Sequence, residues 1–325
     1  MRVGLIYTNL EWGKVLDHVA WVEELGFDSI WLTEHHFQHF SPSPLTLAAA
    51  VAARTERVRI STNVMLAPLY NPVRLAEEAA TVSVLSGGRF DLGIGMGYYD
   101  REFAGLQVNI RNRPSLFEET IEILRRAWSG KPFSFQGRRH NIPEINVTPV
   151  PDPPPRILIG AVAEPAIKRA ARLGDGYLGA YNAHLRTYFD ELEALGKTGT
   201  VCAGQQATIT PDVEKGKIEL REYGLRYVND HIDRGLFPGP HYDDLDAAIE
   251  AGHYLLWDGP TAVAAISRVV EEFPLIEDVH FMVTAGPGET FEHARERVEY
   301  IASEVAPALR PLGVRGFGLD CLDAV

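Results

Sequence analysis

Cysteine is nearly absent. Cys202 and Cys321 are the only two in 325 residues, too few for a disulfide framework or a zinc ribbon, so a reduced, cytoplasmic setting is expected. Basic charge is scarce too. With 31 Lys and Arg against 44 Asp and Glu, the formal net charge is −13. The resulting pI near 5.3 argues against nucleic-acid or anionic-membrane partners, which need a basic footprint. No apolar run approaches the roughly 18 residues of a membrane span, and the N-terminus lacks the basic and apolar regions of a signal peptide. There is no internal repeat, nucleophile elbow, paired-carboxylate pattern or P-loop. "GIGMG" (93–97) has the wrong spacing for a dinucleotide fingerprint, and no acidic partner follows about 20 residues on. Chemistry is therefore expected to come from a bound cofactor, with the protein giving position and electrostatics.

What is present is alternation. "RVGLIYTN" (2–9) is a short apolar run, followed by Trp12, Val15, Leu16, Val19, Val22 and Leu25 at helical spacing, with Gly26 as the stop. "DSIWLTEH" (28–35) precedes a helix over 44–56. "RVRISTNV" (57–64) precedes a helix with Asn71 as cap, Pro72 at its first position and Gly87-Gly88 at its end. "RFDLGIG" (89–95) leads to a helix over 114–128. The proline-rich stretch 131–155 reads as an excursion with a small hairpin. "RILIGA" (156–161), "DGYLGAY" (175–181), "QATITP" (206–211) and "DVHFMVT" (278–284) continue the strands, with helices over 165–173, 184–195, 213–271 (two or three) and 290–305. Eight strand–helix units with near-continuous apolar strands predict a closed (β/α)₈ TIM barrel with insertions after strands four and seven. A boundary between two α/β domains at the proline-rich stretch is the alternative, but the second half yields too few strands for it. The expected domain spans 1–310, with 311–325 a poorly ordered tail.

Barrel chemistry sits at the C-terminal ends of the strands. Read in order, those ends carry Tyr7-Thr8-Asn9, Glu34-His35-His36, Thr62-Asn63-Val64, Gly95 to Tyr99, Gly160 to Ala163, Ala180-Tyr181-Asn182 and Thr284-Ala285-Gly286. Aromatics, glycines and neutral polar groups suit a flat aromatic cofactor. Adjacent His35 and His36 diverge in a strand, and no second carboxylate cluster has ligand spacing, so a metal site with His39 is disfavoured. His36 faces away from His35 and reads as structural; Glu34 reads as orienting a neighbour or capping a helix. "GIGMG" admits two readings, close backbone approach to a cofactor or a tight strand–loop turn. Tyr98 and Tyr99, like Tyr7, read as lining a substrate pocket or as core aromatics.

The strings "GFDSIWLTEHHF", "NPVRLAEEAATVSVLSGGRFDLGIGMGYYDREF" and "DGYLGAY" resemble the bacterial luciferase-like flavin-dependent monooxygenases, from residue 1 to about 185 and weakly through the last helix. The resemblance implies proton transfer by His35 beside a reduced flavin. It implies a strand-three bulge, often a cis non-prolyl bond, at Asn63–Val64 under the ring, with Gly95 and Met96 beside it. It puts the cofactor phosphate at Ala161, Val162, Ala163 and Glu164. The family often has Ser or Thr after strand five and Arg after the fourth-strand glycine; here Ala163 and Met96 stand there. Arg111, Arg113 or the Arg138–Arg139 pair are then candidates for the missing cation.

The implied activity is a monooxygenase using reduced FMN and O₂ on a small organic substrate, fed by a separate flavin reductase because no nicotinamide-binding domain is visible. A deazaflavin-dependent hydride transfer, with His35 protonating the substrate, is the second reading. A non-catalytic flavin-binding or partner subunit is the third. The segments 97–113 and 201–260 are expected to form a lid and the substrate pocket. Ala48, Ala49, Ala50, Ala52, Ala53, Ala79, Ala80, Val82 and Val84 span several helix faces, which predicts a second chain as cover and hence a homodimer.

Overall fold

A computed structural model describes residues 1–37, 42–179 and 182–313, without the side chains of Asn182 and Ala183. His39, Ala180, Tyr181, Cys321 and the tail beyond Gly313 lie outside the described residues. Eight strands, numbered here β1 to β8, alternate with helices along the chain. They are β1 (Arg2–Tyr7), β2 (Ser29–Leu32), β3 (Arg59–Thr62), β4 (Phe90–Gly95), β5 (Ile157–Gly160), β6 (Gly176–Leu178), β7 (Thr200–Gln205) and β8 (Ile276–Met282). The contacts group into two compact units, Met1–Ile30 with Thr200–Val325, and Trp31–Gly199. Among the described residues no helix is long and apolar enough to cross a membrane.

In the unit Trp31–Gly199 the pairing is parallel throughout β3 to β6: Ile60 faces Phe90, Leu92 faces Ile157, and Leu158 faces Gly176. Leu92, Ile94, Ile157 and Leu158 are fully buried, as strands covered on both faces must be. Met65–Leu66 is a short extra strand that pairs in parallel with the last two residues of β4. The expected helix punctuation is present: Asn71 Oδ1 accepts from the Val73 and Arg74 backbone N–H groups, and Pro72 opens the helix Pro72–Leu85. The proline-rich excursion holds the expected hairpin, Phe133–Gln136 against Asn141–Ile145. Glu119, on the helix Arg113–Ala127, clasps its tip by accepting from the N–H groups of Arg138, Arg139 and His140.

In the other unit β8 lies between β1 and β7, with Leu5 facing Phe281 and Ala203 facing Val279. Three expectations change here. The seventh strand is Thr200–Gln205, upstream of "QATITP"; Ala207–Ile209 instead pairs with Leu255–Trp257 in a two-stranded sheet of its own. Small residues explain the mislocation: β7 reads TVCAGQ, and Ala203 and Gly204 pack against β8 without the bulky apolar side chains that mark a strand in sequence. The segment 213–271 holds four helices, Val213–Glu219, Arg221–Asp233, Leu245–Glu250 and Gly259–Glu272. The first helix starts at Val15, so Trp12 falls outside it and is 57% exposed.

Candidate active site

The chain leaves β2 as Thr33-Glu34-His35-His36, and two buried carboxylates receive it. Glu102 stands on the short helix Asp100–Gly105 that follows β4. Its Oε1 lies 3.1 Å from His35 Nδ1 and accepts from the His36 backbone N–H at 2.8 Å. With the Glu102 oxygen as acceptor, His35 presents Nδ1–H to it, and this contact selects the ring's tautomer. Glu34 is the second carboxylate. Its Oε1 accepts from Tyr70 Oη at 2.5 Å and lies 2.8 Å from His36 Nε2; its Oε2 accepts from the Leu66 N–H at 2.6 Å. The hydrogen bond to Glu34 raises the His36 pKa above its ordinary value against the opposing effect of burial. Burial, and then Glu34, push the Tyr70 hydroxyl up as well, so Tyr70 remains a donor.

Beside these groups the Asn63–Val64 peptide is cis, at the position the resemblance implied. Val64 sits against two glycines. A Cβ on Gly95 would stand 2.6 Å from Val64 Cγ2, and one on Gly160 would stand 2.6 Å from Val64 Cγ1. Neither sequence reading of "GIGMG" anticipated this. The missing side chain at Gly95 makes room for Val64, which rests on the ends of β4 and β5. Met96 follows Gly95, and Arg169 Nη1 lies 3.8 Å from its Sδ. Arg169 comes from the helix Glu164–Leu173 and also pairs with Glu118 at 2.6 Å. A cation therefore reaches the Met96 position from the helix predicted over 165–173, whose arginines were not among the candidates. Of the arginines it did consider, Arg139 donates Nε–H to Ser115 Oγ at 2.8 Å, within the hairpin clasp.

The remaining candidates fall as follows. Tyr177 Oη donates to the Ala161 carbonyl at 2.7 Å and fixes the backbone after β5. Val162 is 65% exposed. Ala163 is the N-cap of the helix Glu164–Leu173 and offers no side-chain cap; Pro165 removes one donor from its first turn. Glu164 is exposed and paired with Lys168 at 2.8 Å. Tyr98 is exposed, and Tyr99 precedes the short helix as its N-cap. Tyr7 belongs to the other unit, where it is buried with its hydroxyl 2.8 Å from His18 Nδ1. Glu102 was missed in the sequence; its only signal was an acidic residue within "GYYDREF", next to the aromatic pair.

The family model for luciferase-like monooxygenases matches residues 2–204. The chain belongs to the luciferase-like monooxygenase family. It is 35% identical over 269 residues to a protein of Sinorhizobium fredii described only as uncharacterized protein y4vJ, covering 80% of this chain and 71% of that one. A protein of Amycolatopsis mediterranei named as an F420-dependent glucose-6-phosphate dehydrogenase is 27% identical, covering 96% of this chain and all of its own length. The solved structure of the monooxygenase RslO1 from Streptomyces bottropensis superposes with a TM-score of 0.79 at 24% identity, over 94% of this chain and 99% of that one. The fold is accordingly the parallel (β/α)₈ barrel of the luciferase-like proteins, as the strand count predicted, and this luciferase-like chain is an oxidoreductase.

Proposed function

We propose that this luciferase-like protein is a hydride-transferring oxidoreductase that uses a deazaflavin, with His35 exchanging the proton at the substrate oxygen. The observation that carries the reading is the His35–Glu102 pair. An imidazole held in one tautomer by a buried carboxylate is built to take a proton from a hydroxyl as hydride departs, or to return it in reverse. Full-length relatives named for F420 dependence support the same choice.

The residues present fit the ring of such a cofactor. Val64, seated where Gly95 and Gly160 lack side chains, gives an apolar floor. The helix opening at Glu164 would face the phosphate, since its first turn is uncapped by any side chain. Arg169, beside Met96, would supply the nearby positive charge. A bound deazaflavin would supply the site that accepts or gives the hydride. His35 takes the substrate proton on the ring nitrogen that Glu102 does not hold, and Glu102 stabilises the imidazolium that results.

The second reading is the monooxygenase using reduced FMN and O₂ with a separate reductase. The family model, named for that activity, favours it. Anaerobic titration of the purified protein with oxidised and reduced deazaflavin and FMN separates the two. We expect deazaflavin to bind more tightly than about 100 μM, roughly 5.5 kcal/mol, and to be reduced by an alcohol without O₂. Preferential binding of reduced FMN with incorporation of oxygen from O₂ would replace the first reading with the second. Binding of neither would remove both.

A homodimer belongs to the same proposal, on a narrower surface than the sequence suggested. Ala48, Ala52, Ala79, Ala80 and Val82 are buried within the chain, while Val84 and Leu85 remain 51% and 61% exposed. Light scattering at twice 36.0 kDa would support it.

A further inference from the structure

Glu34 has no place in the proton transfer just described, yet it is 2% exposed, and burying a carboxylate is costly unless donors surround it. Its three donors come from places that the reaction needs held. Leu66 lies two residues beyond the cis Asn63–Val64 bond, and its Cα pairs with that of Gly95 at the end of β4. Its N–H turns to Glu34 Oε2. The segment that carries Val64 is thereby tied to the chain leaving β2 as well as to β4. Tyr70, at the end of the turn Ala67–Leu69, adds a second tie through Glu34 Oε1. The third donor is the His36 ring, and the His36 backbone N–H goes to Glu102, the group that sets His35. Glu34 and Glu102 thus share His36 between them, with His35 next to each.

We infer that Glu34 is a positioning residue. It fixes the distance between the apolar floor at Val64 and the imidazole of His35, by holding Leu66, Tyr70 and His36 on one carboxylate. This rests on the reading of His35 as the proton-exchanging group and of Val64 as the floor under a flat cofactor.

Glu34→Ala and Glu34→Gln differ in what they keep. A Gln side chain can turn its Oε1 to the Leu66 N–H and its amide NH₂ to Tyr70 Oη and His36 Nε2, both of which can accept. Glu34→Ala keeps none of these bonds. The expected result is that Glu34→Ala weakens deazaflavin or FMN binding, whichever the wild type takes, by about 10- to 100-fold. It also moves the ¹⁵N imidazole shifts of His35 in the cofactor-free protein. Glu34→Gln should restore binding to within about three-fold and the His35 signal to its wild-type position. If Glu34→Ala does not fold, Tyr70→Phe removes a single donor and should shift both readouts in the same direction by about three-fold. A purely structural Glu34 would lower the thermal midpoint while leaving cofactor affinity and the His35 shifts of the folded protein unchanged, and that result overturns the inference. Should the wild type bind neither cofactor, the functional reading fails on its own. The positioning role is then decided by the His35 shifts, which need no ligand.

Discussion

Asp91 and Glu102 are each 1% exposed, one near the start of β4 and one just past its end, and their partners differ in kind. Asp91 receives two guanidinium forks. Arg59 reaches it with Nε at 3.0 Å and Nη2 at 2.7 Å, and Arg156 does the same from the other side. Burial alone would push the Asp91 pKa up, but Arg156 and Arg59 overcome it and hold the carboxyl far below its usual range. Glu102 receives a backbone N–H and an imidazole. Permanent charges at the strand starts give a group that stays ionised under nearly all conditions. A backbone N–H and an imidazole, at the strand ends, place Glu102 beside the group proposed above to exchange a proton. The division agrees with the general use of the two faces of a (β/α)₈ barrel, stability at one and catalysis at the other.

The largest expected effect breaks the strand-end side alone. His35→Ala should cut turnover by about 10²- to 10⁴-fold, the usual contribution of a positioned proton-transfer group, and leave the thermal midpoint within the spread of surface variants. Steady-state kinetics beside thermal melts check it. A variant as active as wild type would mean that His35 only supports the rim, and the contrast with Asp91 would vanish.

Next comes the strand-start side. Asp91→Asn leaves two guanidiniums facing a neutral amide, and breaking a buried pair by removing one partner costs about 3–5 kcal/mol. The lower end is expected, because Arg59 and Arg156 are 28% and 30% exposed and can turn to water. Urea unfolding should show the loss, with specific activity of the folded fraction unchanged. If activity fell while stability held, the strand starts would have been misread.

Acid and base should separate the two ends again, more modestly. The Asp91 pKa is depressed in the folded protein. Its contribution is therefore present above the unfolded value of about 3.9 and is lost as pH falls below that toward the folded value. The His36 pKa is raised. Its contribution is complete below the unfolded value of about 6.5 and is lost as pH rises through the folded value. Melting points from pH 3 to 9 should show Asp91→Asn flattening the acid limb and His36→Gln flattening the alkaline decline. Identical profiles for the two variants would show that the two ends do not titrate separately.

The same division governs what the sequence disclosed. Apolar runs such as "RILIG", and the Asn71-Pro72 opening of a helix, speak locally, because burial and capping act on consecutive residues. They predicted the alternation and the barrel. β7 stayed hidden because Val201 is its one large apolar residue, and Cys202 and Ala203 are small enough to be buried beside it without a strong hydrophobic signature. His35 drew attention through the run of polar groups after an apolar pair, and its proposed role came from the resemblance of "TEHHF" to the family. Glu102 was not, because its role depends on a contact 67 residues away in sequence, and nothing in "YDREF" separates it from the exposed Arg101 on its N-terminal side. The glycines of β4 and β5 were visible, but their purpose depends on Val64 reaching them from β3. The apolar positions on the helices Pro44–Arg54 and Pro72–Leu85 looked surplus until the structure showed most of them buried.

The smallest effect sharpens the comparison at an exposed carboxylate. Glu164 begins the helix Glu164–Leu173 and is exposed, and the hydrogen bond from Lys168 lowers its pKa. A negative side chain there interacts favourably with the helix N-terminus, so a phosphate placed at the same opening must compete with it. Glu164→Gln removes that competitor and releases the Lys168 ammonium to face the opening. Binding of a phosphate-bearing cofactor should therefore tighten by about two- to five-fold at low salt, and the gain should shrink as ionic strength rises, since exposed charges are screened within about 10 Å at 0.1 M. Riboflavin, which shares the ring and lacks the phosphate, should show no gain. Fluorescence titrations of FMN, deazaflavin and riboflavin at two salt concentrations make the test. An equal change for riboflavin would place the phosphate elsewhere and leave Arg169, rather than the helix opening, as the group to examine next.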